Sequence, residues 1–299
     1  YLGFVKIFNH QGEQVELTAC EEKCFFSSSI NCDNDIFVIN NKDSEGISYQ
    51  ARLCEYDQEK RKINTKAFDI SGNARLLNRE YFILSHNGFE TIELFELNSK
   101  SAKWRVDLSE TIATKPIRIY KIIACFGGQL IMTVNNEIIY SLSLSNGEIE
   151  KSWSVLPDDS AWQTHPHQAP TNLIPGVNSC VLDPNSGKII GLSTWFYWEI
   201  ELESGAITFH DLRESFEENE LHCSGPIALQ GNHVFFLSDA LLFRGAPWKV
   251  AALNRKTLEV DWLYEFPPGT RIHARGPQVQ GKHLFVVDSK NTLHLFEQE

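Results

Sequence analysis

The chain has 299 residues, 42% hydrophobic and 22% charged, which is enough apolar material for a sizeable core and too little charge for wholesale disorder. Its net charge of −12 argues against sequence-independent nucleic-acid binding, since phosphates call for lysine and arginine, and suits either solubility or a basic partner. No apolar run reaches the ~18 residues of a membrane span, and no signal-peptide pattern opens the chain, which begins with Tyr1 and not Met.

Short strands separated by turns follow one another from the start. "FVKIFNHQGEQVEL" (4–17) alternates polar and apolar residues about a turn near Asn9, the period-2 signature of strands. Cysteines stand at 20, 24, 32, 54, 125, 180 and 223, an odd total of seven with no C-x2-C doublet. A zinc site uses paired doublets at a set distance, so the expectation is reduced thiols in a cytoplasmic protein, some of them packed in sheets. "ARLCEYDQEKRKINTKAF" (51–68) turns near Asp57, and "TIELFELNSKSAKWRVDL" (91–108) turns at Asn98. Pro116 opens the strand of "TKPIRIYKI", and "CFGGQL" (125–130) reads as a hairpin-type turn.

"EIIYSLSLSNGEIEKSWSVL" (137–156) turns at Ser145 and places Trp153 eight residues on. "AWQTHPHQAP" (161–170) then carries Trp162, His165 and His167 ahead of Pro170. "STWFYWEI" (193–200) puts four aromatics in a row. A strand points them to alternate faces, so they are either buried between neighbouring blades or partly exposed near the Trp162 loop as interface residues. "FYWEIELESGAITFHDL" (196–212) turns at Glu203. "RESFEENEL" (213–221) reads as a charged loop or at most one helical turn, and the acidic "DLRESFEENE" (211–220), with "ACEEK" (19–23), as solvated or facing a basic partner. His222 and Cys223 precede Pro226, and His273 and Arg275 precede Pro277. Between them "WKVAALNRKTLEVDWLYEF" (248–266) turns at Asn254 and has Trp262 eight residues later. "GPQVQGKHLFVVDSKNTLHLF" (276–296) supplies three final strands.

The turns recur every 41 to 58 residues, and the four prolines every 51 to 56. Proline suits the first residue of a strand, where no ladder N–H is demanded, and the period is that of a four-stranded propeller blade. The fold expected is all-β: one propeller domain over 1–299, built of four-stranded antiparallel blades, six in number with seven as the alternative. Pairing of the N-terminal strand with the C-terminal blade would close it and remove the sheet edges. The N-terminal hairpin has one strand more than this closure needs.

The stretch "AALNRKTLEVDW" (251–262) resembles the A-L-D-x-x-T-G-x-x-x-W repeat of pyrroloquinoline-quinone-type propellers. The resemblance implies blades whose tryptophan packs against a neighbour. It stops at the cofactor. Quinone dehydrogenases of this family have eight blades, longer chains and typically a vicinal cysteine pair, and no two cysteines are adjacent here. No cofactor is expected.

In a propeller the loops leading into the inner strands open on one face. Counted back from the prolines, His222 and His273 stand at −4, His167 at −3 and His165 at −5, with Cys223 and Arg275 beside them. The loop before Pro116 offers Thr114 and Lys115 instead. These residues form a metal site, an acid–base pair or a polar collar if they converge, and hydrogen-bond their own loops if they do not. The function expected is non-enzymatic protein binding through the loops at 156–176 and 211–225 together with the aromatic run. An immunity or inhibitor-type bacterial protein, or a scaffold, would be forms of it. The alternative is a six-bladed hydrolase, lactonase or lyase with its site at the channel mouth. Sugar lactonases of that shape use acidic and Asn ligands, from which histidines at the entrances depart.

Overall fold

A computed structural model describes residues 5–8, 14–17, 24–25, 36–42, 49–57, 62–71, 73–77, 80–86, 90–96, 99, 101–111, 119–157, 160–163, 167–239, 246–272 and 276–297. The chain forms two compact units, residues 1–118 with 142–148, and residues 119–141 with 149–299. In the first unit, β1 (Val5–Phe8) and β2 (Gln14–Leu17) make an antiparallel hairpin. Two four-stranded meanders follow: β3 (Cys24–Phe25), β4 (Ile36–Lys42), β5 (Tyr49–Asp57) and β6 (Lys62–Ser71), then β7 (Asn73–Leu76), β8 (Tyr81–His86), β9 (Thr91–Glu96) and β10 (Ser101–Asp107). The short helix α1 (Leu108–Thr111) succeeds them.

Three more meanders of four strands come next. The first is β11 (Ile119–Phe126), β12 (Gln129–Val134), β13 (Ile138–Ser143) and β14 (Ile149–Trp153). The second is β15 (Cys180–Asp183), β16 (Lys188–Ser193), β17 (Phe196–Glu201) and β18 (Ile207–Asp211), followed by the helix α2 (Arg213–Glu218). The third is β19 (Ala228–Gln230), β20 (His233–Ser238), β21 (Lys249–Asn254) and β22 (Val260–Glu265). A three-stranded sheet, β23 (Gln278–Gln280), β24 (His283–Val287) and β25 (Leu293–Glu297), ends the chain.

Composition decides which strand is central. β12, β16 and β21 read QLIMTV, KIIGLS and KVAALN and are buried at nearly every position, because both faces of the sheet are covered. The fourth strands β10, β14 and β22 keep polar alternation and exposed positions. Apolar layers fill the spaces between successive sheets of the second unit. Trp153, Ile131, Trp198 and Ile200 pack between β11–β14 and β15–β18. Phe196, Tyr197, Phe216 and Phe236 pack between β15–β18 and β19–β22, and Phe266, Leu284 and Val286 beyond them. The aromatic run is therefore core: Trp195, Phe196, Tyr197 and Trp198 are all buried. Gly127 and Gly128 link β11 to β12 with φ of 57° and 78°, the pair of positive angles a tight primed hairpin turn requires.

Two of the repeat tryptophans pack against turns. Trp104 donates from Nε1 to Leu144 O at 3.0 Å, and its ring covers Gly147 so closely that a Cβ there would come within 2.8 Å of it. Trp153 covers Gly205 in the same way, with 3.6 Å between Nε1 and the position of a Cβ. Trp104 and Trp153 are buried, whereas Trp262 is only partly so and meets Phe296 edge-on at 5.3 Å.

Two expectations need correction. Residues 213–218 form a six-residue helix and not a loop or single turn, because Phe216 is fully buried and Lys249 Nζ donates to Asn219 O at 2.9 Å at the helix end. The second concerns Pro170. Pro226 and Pro277 precede β19 and β23 by two residues and one, but Pro170 lies ten residues before β15. A bridged hairpin intervenes, so Pro170 is not in register with the other two, and Pro116 falls outside the described residues.

Candidate functional site

That hairpin leaves β14 and returns to β15. Val155 bridges Leu173, and Trp162 bridges Thr171 with backbone bonds of 2.8 and 2.9 Å. Trp162 Nε1 donates to Leu173 O at 2.6 Å, and its ring lies 4.6 Å from that of Phe196. Arg213, at the start of α2, spreads its guanidinium over Trp195 at 4.9 Å and Phe196 at 5.9 Å and donates to Gln163 O. Asp211 Oδ1 accepts the Arg213 amide at 3.0 Å. The hairpin and α2 are thus fastened to one aromatic platform at the end of the sheet where strands two and three turn.

Cys223 joins the same end by a two-way backbone bridge to Thr194. Its thiol is buried and pushed up to about 12 by that burial, so it stays protonated at neutral pH. His222 is buried beside it, with Nε2 2.9 Å from Asp239 Oδ1 and its amide donating to Ser238 Oγ at 3.0 Å. Burial depresses the imidazole below its ordinary range, and Asp239 offsets this only in part. A Cβ on Gly276 would sit 2.7 Å from Pro226 O, which sets the entrances at Pro226 and Pro277 against each other.

The structure therefore brings together Trp162, His222 and Cys223 with Trp195, Phe196, Arg213 and Asp239. His167 stands apart, exposed on the hairpin. His165, His273 and Arg275, with Thr114 and Lys115, lie outside the described residues. Among the described residues no three metal-ligating side chains converge, and no helix is long and apolar enough to cross a membrane.

At the opposite end of the same sheets lies a polar cluster that sequence reasoning missed. Arg255, one residue past the Asn254 anchor, reaches from its turn to the β15–β18 sheet. Its Nη1 donates to Asp183 Oδ2 at 2.8 Å, Nη2 and Nε to Glu199 Oε1 at 2.9 and 3.1 Å, and Nε also to Tyr197 Oη at 3.3 Å. Lys188 pairs Glu199 from the other side at 2.9 Å. Burial alone would raise both carboxyls. The donors, Ser186 and Arg255 on Asp183, and Tyr197, Lys188 and Arg255 on Glu199, outweigh it and hold them below the usual range. Burial, with Glu199 beside it, pushes the Tyr197 phenol up. The only signal in the sequence was an arginine in a turn, which does not name its partners.

Comparison with protein-family models and with curated proteins finds no match. Among solved structures the chain is similar to BamB from Moraxella catarrhalis, at 14% identity, 96% of this chain and 77% of that one, with a TM-score of 0.56. It is also similar to Hsv2 from Kluyvelomyces marxianus, at 12% identity, 89% of this chain and 77% of that one, with a TM-score of 0.51. The chain has a β-propeller fold. The similarity to these structures is one of fold. At these identities it extends no further.

Proposed function

We propose that this propeller binds another protein through the hairpin 155–173 and the adjoining helix α2. One observation carries the reading. Val155 and Leu173, paired across the base of the hairpin, are 48% and 43% exposed, although Trp162 and Arg213 hold that hairpin in place. The helix α2, tied to the hairpin by Arg213, exposes Glu214, Glu217, Glu218 and, at its end, Glu220. An exposed apolar pair on the hairpin and acidic residues on the helix fastened to it suit a partner with an apolar anchor and basic surroundings. The test is a photo-crosslinking residue at position 173, with a second protein carrying it at Lys256 as control. A discrete adduct at 173, lost with Val155→Lys and weakened by high salt, is expected. Identical adduct patterns at both positions would overturn the reading.

The hydrolase reading draws on the buried His222–Asp239 couple, which has the form of an acid–base pair. Burial pushes the neighbouring Cys223 thiol up to about 12.

A further inference from the structure

The first strands of two neighbouring sheets, β11 and β15, pack against each other within the second unit. In a propeller such strands lie nearest the central channel. Lys121, the third residue of β11, reaches across to the entrance of β15. Its Nζ donates to Cys180 O at 2.6 Å and to Asn178 O at 3.5 Å. Thr133, fully buried on β12 and paired with Lys121 across the ladder, donates from Oγ1 to Asn178 Oδ1 at 2.9 Å. The Asn178 side chain is therefore turned with its oxygen toward the hydroxyl, and its NH2 group is left over as a donor. The neighbouring hydroxyl, Ser179 Oγ, is spent on Gly225 O.

Two donors thus stand side by side with capacity to spare. An ammonium carries three N–H groups, and Lys121 spends its bonds on backbone carbonyls; among the described residues no carboxylate pairs with it. Asp183, at the far end of β15, is taken by Arg255. Lys121 and Asn178 are both partly exposed. A cation fixed in place without a counter-ion, in a chain of net charge −12, favours a single negative charge. A carboxylate brings that charge on two oxygens, one for the ammonium and one for the amide. A phosphate dianion would bring a second charge that Lys121 does not offset. We propose that Lys121 and Asn178 form a carboxylate-binding site at the entrance of β15, with Thr133 as the residue that orients the amide. The site shares no residue with the hairpin 155–173, and its test does not depend on that one.

The probe is sodium acetate, titrated at neutral pH into the whole chain isotopically labelled at lysine Cε, with sodium chloride titrated in parallel. The Lys121 resonance is identified by its loss in Lys121→Gln, or in Lys121→Arg should the glutamine variant fail to fold. A saturable shift of that resonance is expected in acetate, with a Kd on the order of 10 mM for one charge-assisted bond and one neutral one; chloride should give only a shallow, unsaturated drift. Asn178→Asp keeps an oxygen for Thr133 and sets an internal carboxylate beside Lys121. It should weaken acetate binding at least ~10-fold while the melt holds. Leu173→Lys should leave the titration unchanged. A blocked Gly-Asp-Gly tripeptide presents the same group on a polypeptide: saturation at lower concentration than acetate assigns the carboxylate to an acidic side chain of a partner, and equal or weaker binding assigns it to a free small acid. Three results would each overturn the proposal: no saturable shift with either probe, the same curve in chloride as in acetate, or acetate bound as tightly by Asn178→Asp as by the wild type.

Discussion

Replacing Arg255 with methionine should destabilise the fold by about 3 kcal/mol at neutral pH, and the loss should fade in acid. Methionine keeps the aliphatic packing of the stem and removes the charge. Asp183, Glu199 and Arg255 side chains are only 10%, 14% and 10% exposed, so the pair is close to the buried limit, where removing one partner costs roughly 3–5 kcal/mol by stranding the other's charge. Residual partners set the value at the lower end. Asp183 keeps Ser186 Oγ at 2.7 Å and the Asn185 amide at 3.1 Å, and Glu199 keeps Lys188 and Tyr197. Both carboxyls lie below their ordinary pKa in the folded protein. Their contribution is therefore complete above the unfolded carboxylate pKa of about 4 and is lost as pH falls through the folded values. In the variant those values rise, so the two proteins should converge in stability below about pH 4. Urea denaturation followed by tryptophan fluorescence at pH 7 and at acid pH measures this directly. A gap under about 1 kcal/mol at pH 7, or one that does not shrink in acid, would refute the clamp. Adding Asp183→Asn and Glu199→Gln to the methionine variant should recover part of the loss, because no unpaired charge then remains.

Gly191→Ala should destabilise by about 2–3 kcal/mol or more, since the new Cβ would lie 2.1 Å from the ring of fully buried Trp198; a thermal melt unchanged within a degree would contradict this packing. Trp153→Ala should cost about 3–5 kcal/mol and Trp262→Ala clearly less, the first being buried and the second only partly so; equal shifts in chemical denaturation would remove the distinction between covered and uncovered tryptophans. His222, held neutral by burial, contributes stability above its unfolded pKa of about 6.5 that is lost as pH falls through its lower folded value, at most about 1.4 kcal/mol per pH unit. His222→Gln should flatten the fall in melting temperature between neutral and mildly acidic pH, and a variant with the wild-type slope would count against a titrating His222.

What the sequence determined by itself is everything that short-range chemistry decides. Alternation and apolar runs mark strands because side chains on a strand point to two faces, so outer strands such as β14 and β22 keep polar positions along their length and the buried β16 and β21 keep them only at their ends. Gly127-Gly128 announces a hairpin because few other residues accept two successive positive φ angles. The repeat of such units foretells five four-stranded sheets and a three-stranded sixth before any contact is known. Tertiary structure alone decided the rest. The register of Pro170 failed because an inserted hairpin, held by Trp162 and Arg213, moves the strand start ten residues on, and no local rule distinguishes that proline from Pro226. Arg255 meets Asp183 and Glu199, 72 and 56 residues away, only once two sheets are stacked. The N-terminal hairpin could satisfy its hydrogen bonds either internally or on another edge. Both choices obey the same strand chemistry, and only the folded chain shows β1 paired with β2, Val5 opposite Leu17 and Phe8 opposite Gln14.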